Sequence, residues 1–145
     1  MPLSGCARRL CALGRRGVTS LEFAVTASLT VTLIFGSAEA AKYSFTLQSL
    51  RAAAGEAARS VMLRGGANMS AGVPPCQGLS GALPGATARV RYLDATKVTA
   101  TLAGCATNGG VSSVNVTLLY PYTFSIPIFG RRSETLAESA QAVFN

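Results

Sequence analysis

Between Val18 and Ala38 the chain is apolar and carries one charge, Glu22. A run of this length can cross a hydrocarbon core of about 30 Å as a helix, and it constrains the fold more than any other feature. The acid is out of place in an ordinary anchor. A lone charge at mid-bilayer costs about 2.5 to 3.5 kcal/mol on insertion scales, so an intramembrane carboxylate calls for a compensating group.

The residues upstream indicate what that group is. Arg15-Arg16-Gly17 leads directly into Val18-Thr19-Ser20-Leu21-Glu22-Phe23. Cleavage after Gly17 would make Val18 a free amino terminus and Glu22 the fifth residue of the mature chain. The carboxylate would then lie one helical turn from an ammonium group and could pair with it, in its own chain or in a neighbouring copy. Acid in a first turn also suits the positive end of the helix dipole. Basic residues, glycine, four residues, glutamate and an apolar run together resemble the class III signal of type IV pilin-like proteins, which prepilin peptidases cut after the glycine.

Further residues narrow the resemblance. Glu22-Phe23-Ala24, Phe35-Gly36-Ser37-Ala38-Glu39, Lys42 and Ala53-Ala54-Gly55-Glu56-Ala57-Ala58-Arg59 are similar to the TadE/TadG-like pseudopilins of tight adherence (Tad, Flp pilus) systems, chiefly over residues 15 to 63. The family often has proline about six residues after the glutamate. Ser28 stands there in this chain, which predicts a straighter helix. The resemblance implies a pilin-like α+β fold, a long N-terminal helix with a transmembrane first half packed on a small antiparallel sheet. It also implies a non-enzymatic minor pseudopilin without cofactor, acting in pilus assembly and adhesion. Gly17 and Val18 would be the peptidase site, and Glu22 with Phe23 would serve subunit assembly. The implied partners are the bacterial inner membrane, the prepilin peptidase, other Tad pilins and pseudopilins, and the assembly platform. Major Flp pilins are much shorter and lack such a sheet domain, which favours the minor role.

Two other readings of the N-terminus stay open. One is a secretory signal peptide cut near Ala38-Glu39-Ala40, against which stand the length of the apolar stretch and the acid inside it. The other is an uncleaved anchor, with Glu22 near the interface by accident.

The net charge of +7 is not read as a nucleic-acid signal. Arg8, Arg9, Arg15 and Arg16 precede the apolar run, and their removal from the 13 basic residues leaves nine against six acids, a net of +3. They fit the retained side of a positive-inside topology, with residues 1–17 cytoplasmic and the C-terminal domain periplasmic. Of four cysteines, Cys6 and Cys11 fall in the leader, leaving Cys76 and Cys105. A pair in an exported domain is normally a disulfide; two unrelated free thiols are the alternative.

The organisation read along the chain is a leader (1–17), a transmembrane and continuing amphipathic helix (18–63), a Gly/Pro-rich loop (64–86) and a sheet domain (87–145). Tyr43, Leu47, Leu50, Ala54, Ala57 and Val61 recur at spacings of four and three, which predicts one buried helix face. Gly65-Gly66 predicts the helix stop. Ala88, Val90 and Tyr92 alternate, as do Val98, Ala100 and Leu102, which predicts a hairpin about a turn at Asp94-Ala95-Thr96. Even-numbered apolar residues from Val114 to Ile128 predict a long strand, with Pro121 and Pro127 marking an edge or a bend. Glu134 to Phe144 is read as a closing strand, since Glu134 and Glu138 would repel at i,i+4 on a helix.

No active site emerges. The chain has no histidine, and Asp94 sits in an expected turn, where aspartate bonds locally. The glycine pairs at 65–66 and 109–110 lack the Lys-Ser/Thr of a phosphate loop. A rival from another class is a membrane-tethered binding module that presents the even-numbered face of residues 114–128 to a ligand and needs no processing at Gly17.

Overall fold

The computed structural model describes residues 4–84, 92–126 and 132–145, with residues 4–16 described by their backbone alone. The chain divides into two compact units, Met1–Ala40 and Ala41–Asn145. Helix α1, Ser4–Ser70, contributes to both.

Within the first unit the residues described are helical throughout, and the apolar side chains have no partners. Phe23 is 74% exposed, Leu21 66% and Leu33 65%. This is the candidate membrane span, a helix long and apolar enough to cross a bilayer. Its hydroxyls are turned inward on the backbone. Ser28 Oγ donates to Val25 O (2.9 Å), Thr30 Oγ1 to Thr26 O (2.8 Å), Thr32 Oγ1 to Ser28 O (2.8 Å) and Ser37 Oγ to Ile34 O (2.9 Å). Each polar group so paired can enter an apolar medium without the desolvation cost of an unmade hydrogen bond.

The second unit is α+β. The rest of α1 is followed by short 3-10 turns at Leu79–Ala82 and Ala95–Lys97 and by three strands, β1 (Thr99–Asn108), β2 (Val111–Thr123) and β3 (Ser133–Phe144). They form an antiparallel sheet in the order β1-β2-β3. Gly109 (φ 60°) and Gly110 (φ 85°) close the β1–β2 hairpin between the paired Asn108 and Val111. A two-residue turn with positive φ at both positions matches the twist of the strands it joins, which is why this glycine pair is here.

The expected helix face is the buried one. Leu50, Ala54, Ala57 and Val61 are buried together with Ala53 and Ala58, and Tyr43 and Leu47 pack at the edge of the same core. The sheet answers with Val114, Val116, Leu118 and Tyr122 of β2 and Leu136, Ala142 and Phe144 of β3. The last segment is therefore a strand. Glu138 lies opposite Leu118 in the register, and its Oε1 accepts a 2.8 Å bond from Arg51 Nε on α1.

Several boundaries differ from the sequence reading. The helix runs through Gly65-Gly66 to Ser70 rather than stopping at Leu63. It ends where the Val73 N–H donates to Asn68 O (2.9 Å) and the Gly72 N–H to Met69 O (3.1 Å), with Gly72 at φ 68°. This is the paired bonding of a Schellman cap, and Gly72 is the glycine that supplies it. Gly65 has a different task. A Cβ there would stand 2.5 Å from Cε2 of Phe144, so the bare glycine seats the aromatic ring against the helix. Burying such a ring is worth about 1.5–3 kcal/mol, against about 1 kcal/mol for glycine in a helix, and the tertiary contact wins.

The segment expected to be an irregular loop supplies core instead, since Leu79 and Leu83 are buried, as is Leu93 beyond it. Asn68 Nδ2 holds the segment by donating to Gln77 O (2.7 Å). The expected strand over residues 87–92 lies outside the described residues except for Tyr92, an exposed turn residue. β1 pairs with β2. β2 is the middle strand rather than an edge, but β1 accompanies it only to Leu119. Among the described residues β3 alone is alongside Pro121, through Thr135, so no described partner is interrupted there on the β1 side. Pro127 lies outside the described residues.

Candidate processing and assembly site

Gly17, Val18, Glu22 and Phe23 occupy successive turns of α1 in the first unit, and all four are exposed. Val18 and Glu22 are at i,i+4 and share a helix face. The Gly17–Val18 peptide lies inside the helix as it stands. A Cβ on Gly17 would meet nothing within 4 Å, and its φ is not positive. Neither packing nor backbone conformation therefore asks for glycine at 17, where it costs about 1 kcal/mol relative to alanine. Gly17 follows two arginines directly and stands five positions before Glu22, the one acid of the apolar run Val18 to Ala38. Residues 17–59 match the family model described as TadE-like protein.

This segment is TadE-like. It includes the candidate span and the first part of the helix that packs on the sheet. No curated protein and no solved structure matches the chain.

The other residues singled out by sequence, Cys76 and Cys105, lie in the second unit with Cα atoms 6.1 Å apart, inside the range of about 4.4–6.8 Å that a disulfide bridges. Local structure brings them together from both sides. Cys76 belongs to the segment that Asn68 holds. Cys105 sits where the β1–β2 register shifts between Ala103 and Ala106, next to Gly104 at φ 68°. A bulge of this kind re-aims one side chain out of the ladder, and here the re-aimed side chain is the thiol.

The ligand face proposed for a tethered binding module is not available over Val114 to Tyr122; Phe124 and Ile126 are half-buried, and Ile128 lies outside the described residues. Val114 (1% exposed), Val116 and Leu118 (both 0%) and Tyr122 are core residues, so the even-numbered face of β2 is spent on α1. Exposed solvent-side positions of that strand are odd-numbered.

Asp94 stands apart from these residues and caps the short turn after it. Its Oδ1 accepts from Thr96 Oγ1 (2.5 Å) and from the Thr96 N–H (3.1 Å), and Lys97 Nζ lies 3.5 Å from Oδ2. The Thr96 hydroxyl, then its backbone N–H, hold the carboxyl below its ordinary value. The arrangement is that of a turn. Sequence reasoning missed three structural positions altogether: Gly65 beneath Phe144, Gly72 at the helix end, and Arg51 against Glu138. Of these roles only that of Gly72 had a local signal, as a glycine followed by a Pro74-Pro75 pair, whereas the local signal at Gly65 pointed to a helix stop.

Proposed function

We propose that this protein is a minor pseudopilin of a bacterial tight adherence pilus assembly and secretion system. It is inserted in the inner membrane with residues 1–17 in the cytoplasm and the sheet domain in the periplasm, and a prepilin peptidase cuts it after Gly17. Val18 then supplies an amine that Glu22 neutralises, in the same chain or in a neighbour, and Phe23 packs beside them as subunits associate. The observation that carries this reading is the coincidence, within a TadE-like segment, of a glycine whose Cβ position is open and the single acid, Glu22, of the apolar run Val18 to Ala38. Arg8, Arg9, Arg15 and Arg16 support the orientation, since basic residues are retained on the cytoplasmic side.

Cys76 and Cys105 form the disulfide of the exported domain in this reading. Closing the intervening loop, at a sequence separation of 29, is worth about 3–4 kcal/mol in the chain-entropy model. The periplasm is an oxidising compartment that sustains such a bond.

The test is the amino-terminal sequence and intact mass of the protein from membranes of cells with and without the prepilin peptidase. A chain that begins at Val18 only when the peptidase is present supports the reading, and the same mass balance reads the cysteine pair as two hydrogens lost. A start near Ala40 or an uncut chain in both strains overturns it. Glu22→Ala is expected to be cut normally and to lower pilus assembly or adhesion; full adhesion by that variant removes the role given to Glu22.

A further inference from the structure

Just beyond the apolar run, helix α1 leaves an aromatic residue outside the core. Over the first turns of the second unit it half-buries Tyr43 and Leu47 and buries Leu50, but Phe45 stays 50% exposed. Tyr92, which is 71% exposed, packs against it edge to face, with ring centroids 5.0 Å apart and planes at 75°. The core takes in neither ring, so the pair forms an apolar patch on the surface of the second unit. Lys42 is exposed three residues before Phe45 and shares its helix face. Scattered apolar residues are ordinary on a protein surface. Two aromatic rings packed on each other away from the core keep their outer faces in water unless something covers them.

Position in the chain says what covers them. Val18 to Ala38 holds 21 residues, about 31 Å of helix, which uses up a hydrocarbon core of about 30 Å. Phe45 comes seven residues later in the same unbroken helix, about 10 Å of further rise. Side chains on a helix lean back toward its N-terminus, which brings the ring closer to the end of the run than its own Cα. The headgroup layer outside the hydrocarbon is about 5–7 Å deep on each side. A soluble partner would have to reach the patch through headgroups that the span itself puts there. The side chains suit that layer. Tyrosine joins an apolar ring to a polar hydroxyl and concentrates at membrane–water interfaces, and a lysine ammonium binds phosphate. We infer that Phe45 and Tyr92, with Lys42, form a membrane-surface anchor that seats in the lipid headgroup layer. An anchor on one side of a helix fixes its rotation in the bilayer, and so determines which side of the span other helices meet. The inference rests on the membrane span of the proposed function and is independent of cleavage after Gly17.

The chain has no tryptophan, so single tryptophans report depth directly. The full chain is reconstituted in vesicles of phosphatidylethanolamine and phosphatidylglycerol that carry either a headgroup spin label or bromines deep in the acyl chains. Leu33→Trp, within the span, is expected to be quenched by the deep bromines. Tyr92→Trp is expected to lose most of its emission to the headgroup label and little to the bromines. Leu63→Trp is the control, since Leu63 is 69% exposed but stands about 27 Å further along α1 than Phe45, and it should keep its emission with both. Adding Phe45→Glu to Tyr92→Trp should remove most of the headgroup quenching. Quenching of Leu33→Trp beside an unquenched Tyr92→Trp overturns the anchor and leaves the span standing. Failure of the deep bromines to reach Leu33→Trp overturns the span and the anchor with it. Equal headgroup quenching of Leu63→Trp and Tyr92→Trp, or Tyr92→Trp emission that follows protein concentration in place of the quencher, as a second copy on the patch would produce, also overturns the inference.

Discussion

Helix α1 has two different fates along its length. In the first unit Leu21, Phe23, Leu29 and Leu33 stand exposed and the hydroxyls close on the helix's own carbonyls. In the second, Leu50, Ala53, Ala54, Ala57, Ala58 and Val61 have a sheet to cover them and are buried. The same secondary structure is thus prepared for two solvents. The first half is a candidate membrane span, and in the hydrocarbon of a bilayer a helix need only satisfy its own polar groups. Around the second half the protein supplies the apolar environment itself. The difference also separates stability from assembly, since a residue buried in the second unit holds the domain together, whereas an apolar residue in the first is free to meet lipid or another helix.

The contrast is broken most directly by equal truncations in the two regions. Leu118→Ala, at a fully buried position on the central strand, is expected to cost about 2–5 kcal/mol in denaturant unfolding of the detergent-solubilised chain. Leu33→Ala, exposed in the first unit, should cost less than about 0.5 kcal/mol. Similar losses from both would mean that the two segments share one core.

A sharper comparison sets adjacent glycines of one helix against each other. Gly65→Ala drives a methyl group into the Phe144 ring and should destabilise by about 1–3 kcal/mol. Gly66→Ala meets open space and should stabilise by about 0.5–1 kcal/mol, because alanine is the better helix former. Opposite signs in the two unfolding midpoints confirm the seat for Phe144; equal signs remove it.

The smallest effect is at Asp94. Its folded carboxyl lies below the ordinary value of 3.8, so the stability it contributes is complete above that value. It is lost as pH falls through the lowered folded value. A carboxyl-resonance titration should show the depression, and Thr96→Val should move the midpoint up toward the ordinary value. Unchanged titration in that variant would show that Thr96 is not its cause.

Legibility in the sequence followed the range of the interaction. The buried face of α1 was readable because one helical period repeats from Tyr43 to Val61, and β2 because one parity runs from Val114 to Tyr122 with water on its other side. The helix stop was misread because Gly65-Gly66 carries a stronger local signal than Gly72, and only Phe144, nearly eighty residues on, explains why the helix continues. Leu79 and Leu83 were taken into a loop for a related reason. A few apolar residues among glycines and prolines have no period, and their burial depends on a core built by other segments. At the candidate site, Gly17 and Glu22 were singled out by their order in the chain alone, and their proposed roles rest on that order. The structure added that Gly17 has no task in the fold.

By itself the sequence determined the apolar span with its one acid, the amphipathic helix that follows, and the alternation of the central strand. Each of these is a short-range periodicity or a solvent preference, written in consecutive residues. Tertiary structure alone decided that Phe144 sits on Gly65, that a bulge turns Cys105 toward Cys76, and that Arg51 meets Glu138. Those contacts link residues far apart in the chain, and their free energy exists only once the chain has closed on itself.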